Sequence, residues 1–149
     1  MKNLHILLLT AAILIPFSLN GQNDRIFRVG VDASMDFFLP LGDKILPSVG
    51  LGVLGRVGRY DQWVNFVGGV RYIYGRRLSG FQVPLTVNVN LYRGPKLSAY
   101  LGGGYEFDFF GTYWGCTIIQ TGLAGRHFDV RIFYKHYQGD LGVRFTYYF

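Results

Sequence analysis

The chain has 149 residues, half of them hydrophobic, 17% aromatic and 16% charged, with 21 glycines, a formal net charge of +6 and one cysteine, Cys116. That length holds one domain with a modest core, and a lone cysteine excludes an internal disulfide or a cysteine-based zinc cluster. The basic residues are scattered among apolar stretches instead of gathered in a patch, which argues against nucleic acid and suits anionic lipid head groups.

Residues 1–21 (MKNLHILLLTAAILIPFSLNG) read as a secretory signal, with Lys2 as the positive n-region, Ile6–Ile15 as the apolar core and Pro16 ending it. Cleavage is expected after Gly21. The core is too short to span a bilayer as an uncleaved anchor, and no later run approaches the ~18 apolar residues of a spanning helix. High apolarity without such a run points to strands, in a single domain over residues 22–149.

From Gln22 onward the sequence shows eight alternating segments separated by turn signals. The first, near Phe27–Phe37, sets Phe27, Val31 and Met35 against Arg28, Asp32 and Asp36. The second, near Ser48–Val57, sets Val49, Leu51 and Val53 against Gly50, Gly52, Leu54 and Arg56. In the third, near Trp63–Tyr74, Phe66, Val70 and Tyr72 face one way, with Asn65 and Arg71 the other way beside Trp63, Val67 and Ile73. The fourth opposes Phe81, Val83, Leu85, Val87, Val89 and Leu91 to Gln82, Pro84, Thr86, Asn88, Asn90 and Tyr92. Pro84 cannot donate to a ladder, so a gap or bulge is expected in one pairing.

The fifth segment, after the Arg93-Gly94-Pro95 turn, sets Leu97, Leu101 and Phe107 against Gly102, Gly104, Glu106 and Asp108. The sixth, near Tyr113–Ala124, is blurred by Ile118-Ile119, with Gln120 and Gly122 read as inward. The seventh puts Phe128, Val130, Ile132 and Tyr134 out, with Asp129, Arg131, Phe133 and Lys135 in. The eighth, Leu141–Phe149, turns Val143, Phe145, Tyr147 and Phe149 out, with Arg144, Thr146 and Tyr148 in.

The charged face also carries most of the glycines, as a crowded interior needs, while the opposite face is almost purely aliphatic and aromatic, as hydrocarbon needs. Aromatics gather near both ends of the segments: Phe27, Trp63, Phe128 and Phe149 toward one rim, Phe37, Tyr74, Phe81 and Phe107 toward the other. The expected fold is all-β: an eight-stranded antiparallel up-and-down transmembrane β-barrel, preceded by a cleaved signal peptide. A soluble lipocalin-like barrel is the alternative, and the polarity of the two faces disfavours it.

The signal, the eight segments and the closing FTYYF resemble the small outer-membrane β-barrel proteins of Gram-negative bacteria, the OmpA/OmpX-type and porin-like families. That resemblance implies location in the outer membrane with both termini periplasmic. It also implies a terminal assembly signal read by the barrel-assembly machinery, matched here by Phe149 with Tyr147 and Phe145. The turns after segments one, three, five and seven would then face outside, and they are shorter than in many such proteins.

The alternation predicts a lumen charge network of Arg28, Asp32, Asp36, Arg56, Arg71, Glu106, Asp108, Asp129, Arg131, Lys135 and Arg144. Opposite charges in so narrow a space should pair, since unpaired buried charges are costly. Arg76 and Arg77, in an outer turn, are candidates for lipopolysaccharide phosphates, with a solvated turn as the bland reading. His136 with Asp108, Ser48 and Ser79 invites comparison with lipid A-modifying hydrolases. Those place a Ser two residues after the His, where this chain has Gln138. Cys116 reads as a small strand residue and His127 as a turn neighbour. No metal-ligand spacing is present, and no cofactor is expected. The leading expectation is a non-catalytic barrel with a structural role in the envelope and a plugged lumen. A narrow porin-like channel comes second, and a lipid A-modifying enzyme third.

Overall fold

The computed structural model describes residues 26–38, 46–75, 79–109, 115–136 and 139–149. Eight strands follow in chain order: β1 (Phe27–Phe38), β2 (Leu46–Val57), β3 (Val64–Gly75), β4 (Ser79–Arg93), β5 (Leu97–Asp108), β6 (Cys116–Gly125), β7 (Phe128–Lys135) and β8 (Asp140–Tyr148). Each pairs antiparallel with its neighbours in sequence, and β8 pairs with β1, so the sheet closes as an up-and-down barrel. Closure follows from the two-faced alternation: neither end strand is left with an unpaired edge.

The register sets the geometry. A path of directly paired residues runs from Arg28 through Arg56, Val67, Thr86, Gly104, Ile118, Lys135 and Asp140 and returns to β1 at Phe38. The return lies ten residues (38 minus 28) along the strand, and that is the shear of the barrel. Eight strands with this stagger tilt by about 40° and leave an interior that side chains alone can fill.

The pleat sorts the residues as the alternation predicts. Along β7 and β8 exposed and buried residues alternate without a break. The exposed set is the apolar one, including Leu51, Phe66, Leu85, Ile132 and Phe145, whereas the buried set holds most of the charge. At Pro84 the β3–β4 ladder has a gap, running from Gly68↔Leu85 to Arg71↔Gln82 without a change of register. The missing N–H interrupts the pairing but does not displace it.

Two inward assignments are corrected. Tyr92 faces out and is 61% exposed, because the β4–β5 register shifts between Asn90 and Tyr92 and makes Leu91 the extra residue of a bulge. Trp63 is 62% exposed, since it precedes β3 and lies in the turn instead of the sheet. The sixth strand begins at Cys116, and Tyr113 and Trp114 of that segment's expected start fall outside the described residues, as do residues 1–21.

Candidate functional site in the barrel interior

Side chains from six of the eight strands meet inside the barrel in two charged clusters joined through Asp32. The first centres on Glu106 of β5. Lys135 Nζ lies 2.6 Å from Glu106 Oε1, and Arg144 Nη2 donates to Glu106 Oε2 at 3.1 Å. Arg71 Nη1 lies 3.7 Å from the same Oε2. Asp36 supplies a second acid, with Lys135 Nζ at 2.8 Å and Arg71 Nη2 at 3.3 Å. Arg71 also donates to Ser34 Oγ. The side chains of Glu106, Lys135, Arg71 and Arg144 have no solvent-accessible surface.

The second cluster surrounds Arg131 of β7. Arg131 Nη2 donates to Thr146 Oγ1 at 2.8 Å, and the Thr146 hydroxyl in turn donates to Asp32 Oδ1 at 2.9 Å. Asp32 Oδ2 lies 3.9 Å from Arg144 Nε, which links the two clusters. Asp129 lies 3.4 Å from Arg131 and accepts from Tyr100 Oη at 2.7 Å. Arg56 caps this cluster, donating to the carbonyls of Gly125 and Arg126 at 3.2 and 3.1 Å with its guanidinium 4.4 Å from the Tyr148 ring. Arg144 stacks in the same way on Phe133, at 4.7 Å.

A third group is neutral. Asn88 Nδ2 donates to its cross-strand partner Asn65 Oδ1 at 3.0 Å, and Gln120 Nε2 reaches across from β6 to Asn88 Oδ1 at 2.7 Å and Thr86 Oγ1 at 3.2 Å. The glycines make these crossings possible. A Cβ at Gly50 would meet the Arg71 guanidinium, and one at Gly142 would meet the Phe133 ring.

Of the expected lumen residues, Asp32, Asp36, Arg56, Arg71, Glu106, Asp108, Asp129, Arg131, Lys135 and Arg144 are buried, and Arg28 is half-buried. Asp140 belongs with them: it is 5% exposed and pairs in register with Lys135. Its parity with Gly142 and Arg144 was the available signal, masked by its place next to a turn. With Asp140 included, six acids face five buried bases and Arg28, so the described lumen is formally neutral.

The remaining candidates are dispersed. His136 is exposed in the β7–β8 turn, while Asp108 is buried and accepts from Gln82 Nε2 at 2.7 Å. Ser79 donates to the carbonyl of Gly75 at 3.3 Å. Cys116 is buried, and His127 lies in the exposed β6–β7 turn with Nδ1 3.1 Å from the Tyr148 carbonyl. Phe145, Tyr147 and Phe149 lie on the outer face, each close to 45% exposed. Arg76, Arg77 and Gln138 fall outside the described residues. No group of three or more potential metal ligands exists among the described residues.

No protein-family model matches this sequence, and a search of curated proteins returns no match.

Proposed function

We propose that this chain is a non-catalytic barrel of the bacterial outer membrane, with a structural role in the envelope and a lumen plugged by interlocked charged side chains. The observation that carries the reading is the inversion of polarity. Five cations with relative exposures of 1% or less lie inside, while the exposed strand residues are predominantly Val, Leu, Ile, Phe and Tyr. In water such an outer surface would aggregate, whereas in a bilayer it is the solvated face. The termini would lie in the periplasm, and the natural partners would be outer-membrane lipid, lipopolysaccharide and, during biogenesis, the barrel-assembly machinery.

A formally neutral lumen filled by ion pairs favours neither cations nor anions and leaves little bore. The test is conductance of the refolded barrel in a planar bilayer. A plug predicts no steady current at low voltage.

A narrow channel is the second reading, and one observation favours it. Arg131 Nε and Nη1, Arg144 Nη1 and Gln120 Oε1 are buried without a hydrogen-bond partner among the described residues. Buried donors and acceptors of this kind are usually completed by internal water. If the wild type conducts steadily, and Arg144→Ala changes ion selectivity without lowering stability, the hydrated path displaces the plug.

A further inference from the structure

At the end of the barrel where β1 begins and β8 ends, two turns are tied into one platform. The β2–β3 turn starts at Gly58, whose φ of +102° suits glycine and whose N–H donates to the Ile26 carbonyl at 2.7 Å. Tyr60 Oη donates to the carbonyl of Pro95 in the β4–β5 turn at 2.5 Å. From the strand between them, Asn90 Nδ2 donates to the carbonyls of Tyr60 and Gln62, and Asn90 N to that of Trp63 at 2.9 Å. A fully buried asparagine thus fixes the position of an exposed tryptophan.

The bulge at Leu91 then sets what the platform presents. It turns Leu91 and Tyr92 outward together, 72% and 61% exposed, beside Trp63. The Arg93 guanidinium lies over the Trp63 ring, 3.7 Å from its centroid, and Lys96 is exposed in the adjoining turn. Arg59, Arg93 and Lys96 stand against Asp61, so this surface is formally +2. Asp61 is held in bidentate fashion by Arg59 Nε and Nη2, at 2.9 and 2.8 Å, and also feels the charge of Arg93, so the one acid here faces three cations. The mix of chemistry is that of a membrane interface: an apolar Leu91, the amphipathic rings of Trp63 and Tyr92, and the cations Arg93 and Lys96.

We propose that this two-turn platform is a binding site for the head group of an anionic phospholipid, in the leaflet that faces the terminus-bearing end of the barrel. The proposal rests on the reading that the barrel spans a bilayer. Arg93, pre-oriented by the indole beneath it, takes the phosphodiester, and Lys96 adds a second cation from the neighbouring turn.

The test uses the full barrel refolded into phosphatidylcholine vesicles containing spin-labelled phosphatidylglycerol or spin-labelled phosphatidylcholine. The relative association of the two labels is read by electron paramagnetic resonance. The wild type should prefer phosphatidylglycerol several-fold, with up to about fivefold lost for each of Arg93→Gln and Lys96→Gln. Arg93→Lys should retain part of the preference. Both cations are exposed, and the folded fraction of each variant is checked by heat-modifiable gel migration. In a Trp114→Phe background, Trp63 is the remaining tryptophan, and its emission should respond to phosphatidylglycerol. Equal association of the two lipids, or a preference that survives both substitutions, overturns the proposal. Loss of the Trp63 response on adding inorganic phosphate at millimolar concentration assigns the site to a free anion and overturns the lipid. A barrel that stays folded in detergent but enters neither vesicle overturns the bilayer reading itself, and the proposal with it.

Discussion

The Glu106 cluster and the Asn65–Asn88–Gln120 group occupy the same lumen, but they depend on the fold differently. Around Glu106 of β5, the other members come from β1, β3, β7 and β8, so the charges meet only after the sheet has closed. Asn65 and Asn88 are register partners on adjacent strands and already meet in an open hairpin, with Gln120 as the single reach across. The charged cluster rewards closure, and the amide group rewards pairing. Because each acid in the first cluster serves several cations, removing one side chain strands others. In the second, a deletion leaves at most one or two dipoles unmatched.

The largest effect should therefore come from Glu106→Ala. Lys135, Arg144 and Arg71 would be left buried with Asp36 and Asp32, at a cost of roughly 3–5 kcal/mol, or less where water enters. Urea unfolding of the refolded barrel would measure it. A loss below about 1 kcal/mol would mean that the cluster is solvated and not interlocked. Arg144→Ala should follow, since it breaks both the Glu106 contact and the link to Asp32.

Gln120→Ala should cost about 1–2 kcal/mol, because it leaves Asn88 Oδ1 and Thr86 Oγ1 buried with one donor fewer. If it equals Glu106→Ala in the same unfolding experiment, the distinction between the groups fails. Salt sharpens the contrast: 1 M NaCl should barely change the cost of Glu106→Ala, which is shielded from mobile ions.

The smallest effect belongs to the exposed Arg59–Asp61 pair of the β2–β3 turn. Asp61→Asn should cost less than about 1 kcal/mol at neutral pH and low salt, and nearly nothing at 1 M NaCl. Hydrogen bonds from Arg59 hold the Asp61 carboxyl below the usual carboxylate value. A group lowered in this way stabilises the fold above its unfolded pKa of about 3.9 and loses that contribution as pH falls through the folded value. The difference between wild type and Asp61→Asn should therefore vanish only below about pH 4. A difference that disappears nearer pH 6 would point to another group.

Local alternation made much of this molecule legible in advance. The parity of Asp32, Asp36, Arg71, Glu106, Arg131, Lys135 and Arg144 placed each on the inner face. The same parity placed Val143, Phe145 and Tyr147 outside, because a pleated strand allows only two directions. Pro84 announced an interrupted pairing through the N–H it lacks. Which charge meets which was not legible. Lys135 and Asp36 are 99 residues apart, and their meeting depends on a shear of ten that emerges only when eight separate registers are combined. Nor was the bulge at Leu91, which no Gly or Pro marks and which reverses Tyr92 by shifting one pairing by one residue. The sequence by itself determined the two faces and the number of strands, because alternation is a property of each strand alone. The tertiary structure decided the ion-pair partners and the rim platform, because both arise from offsets between strands.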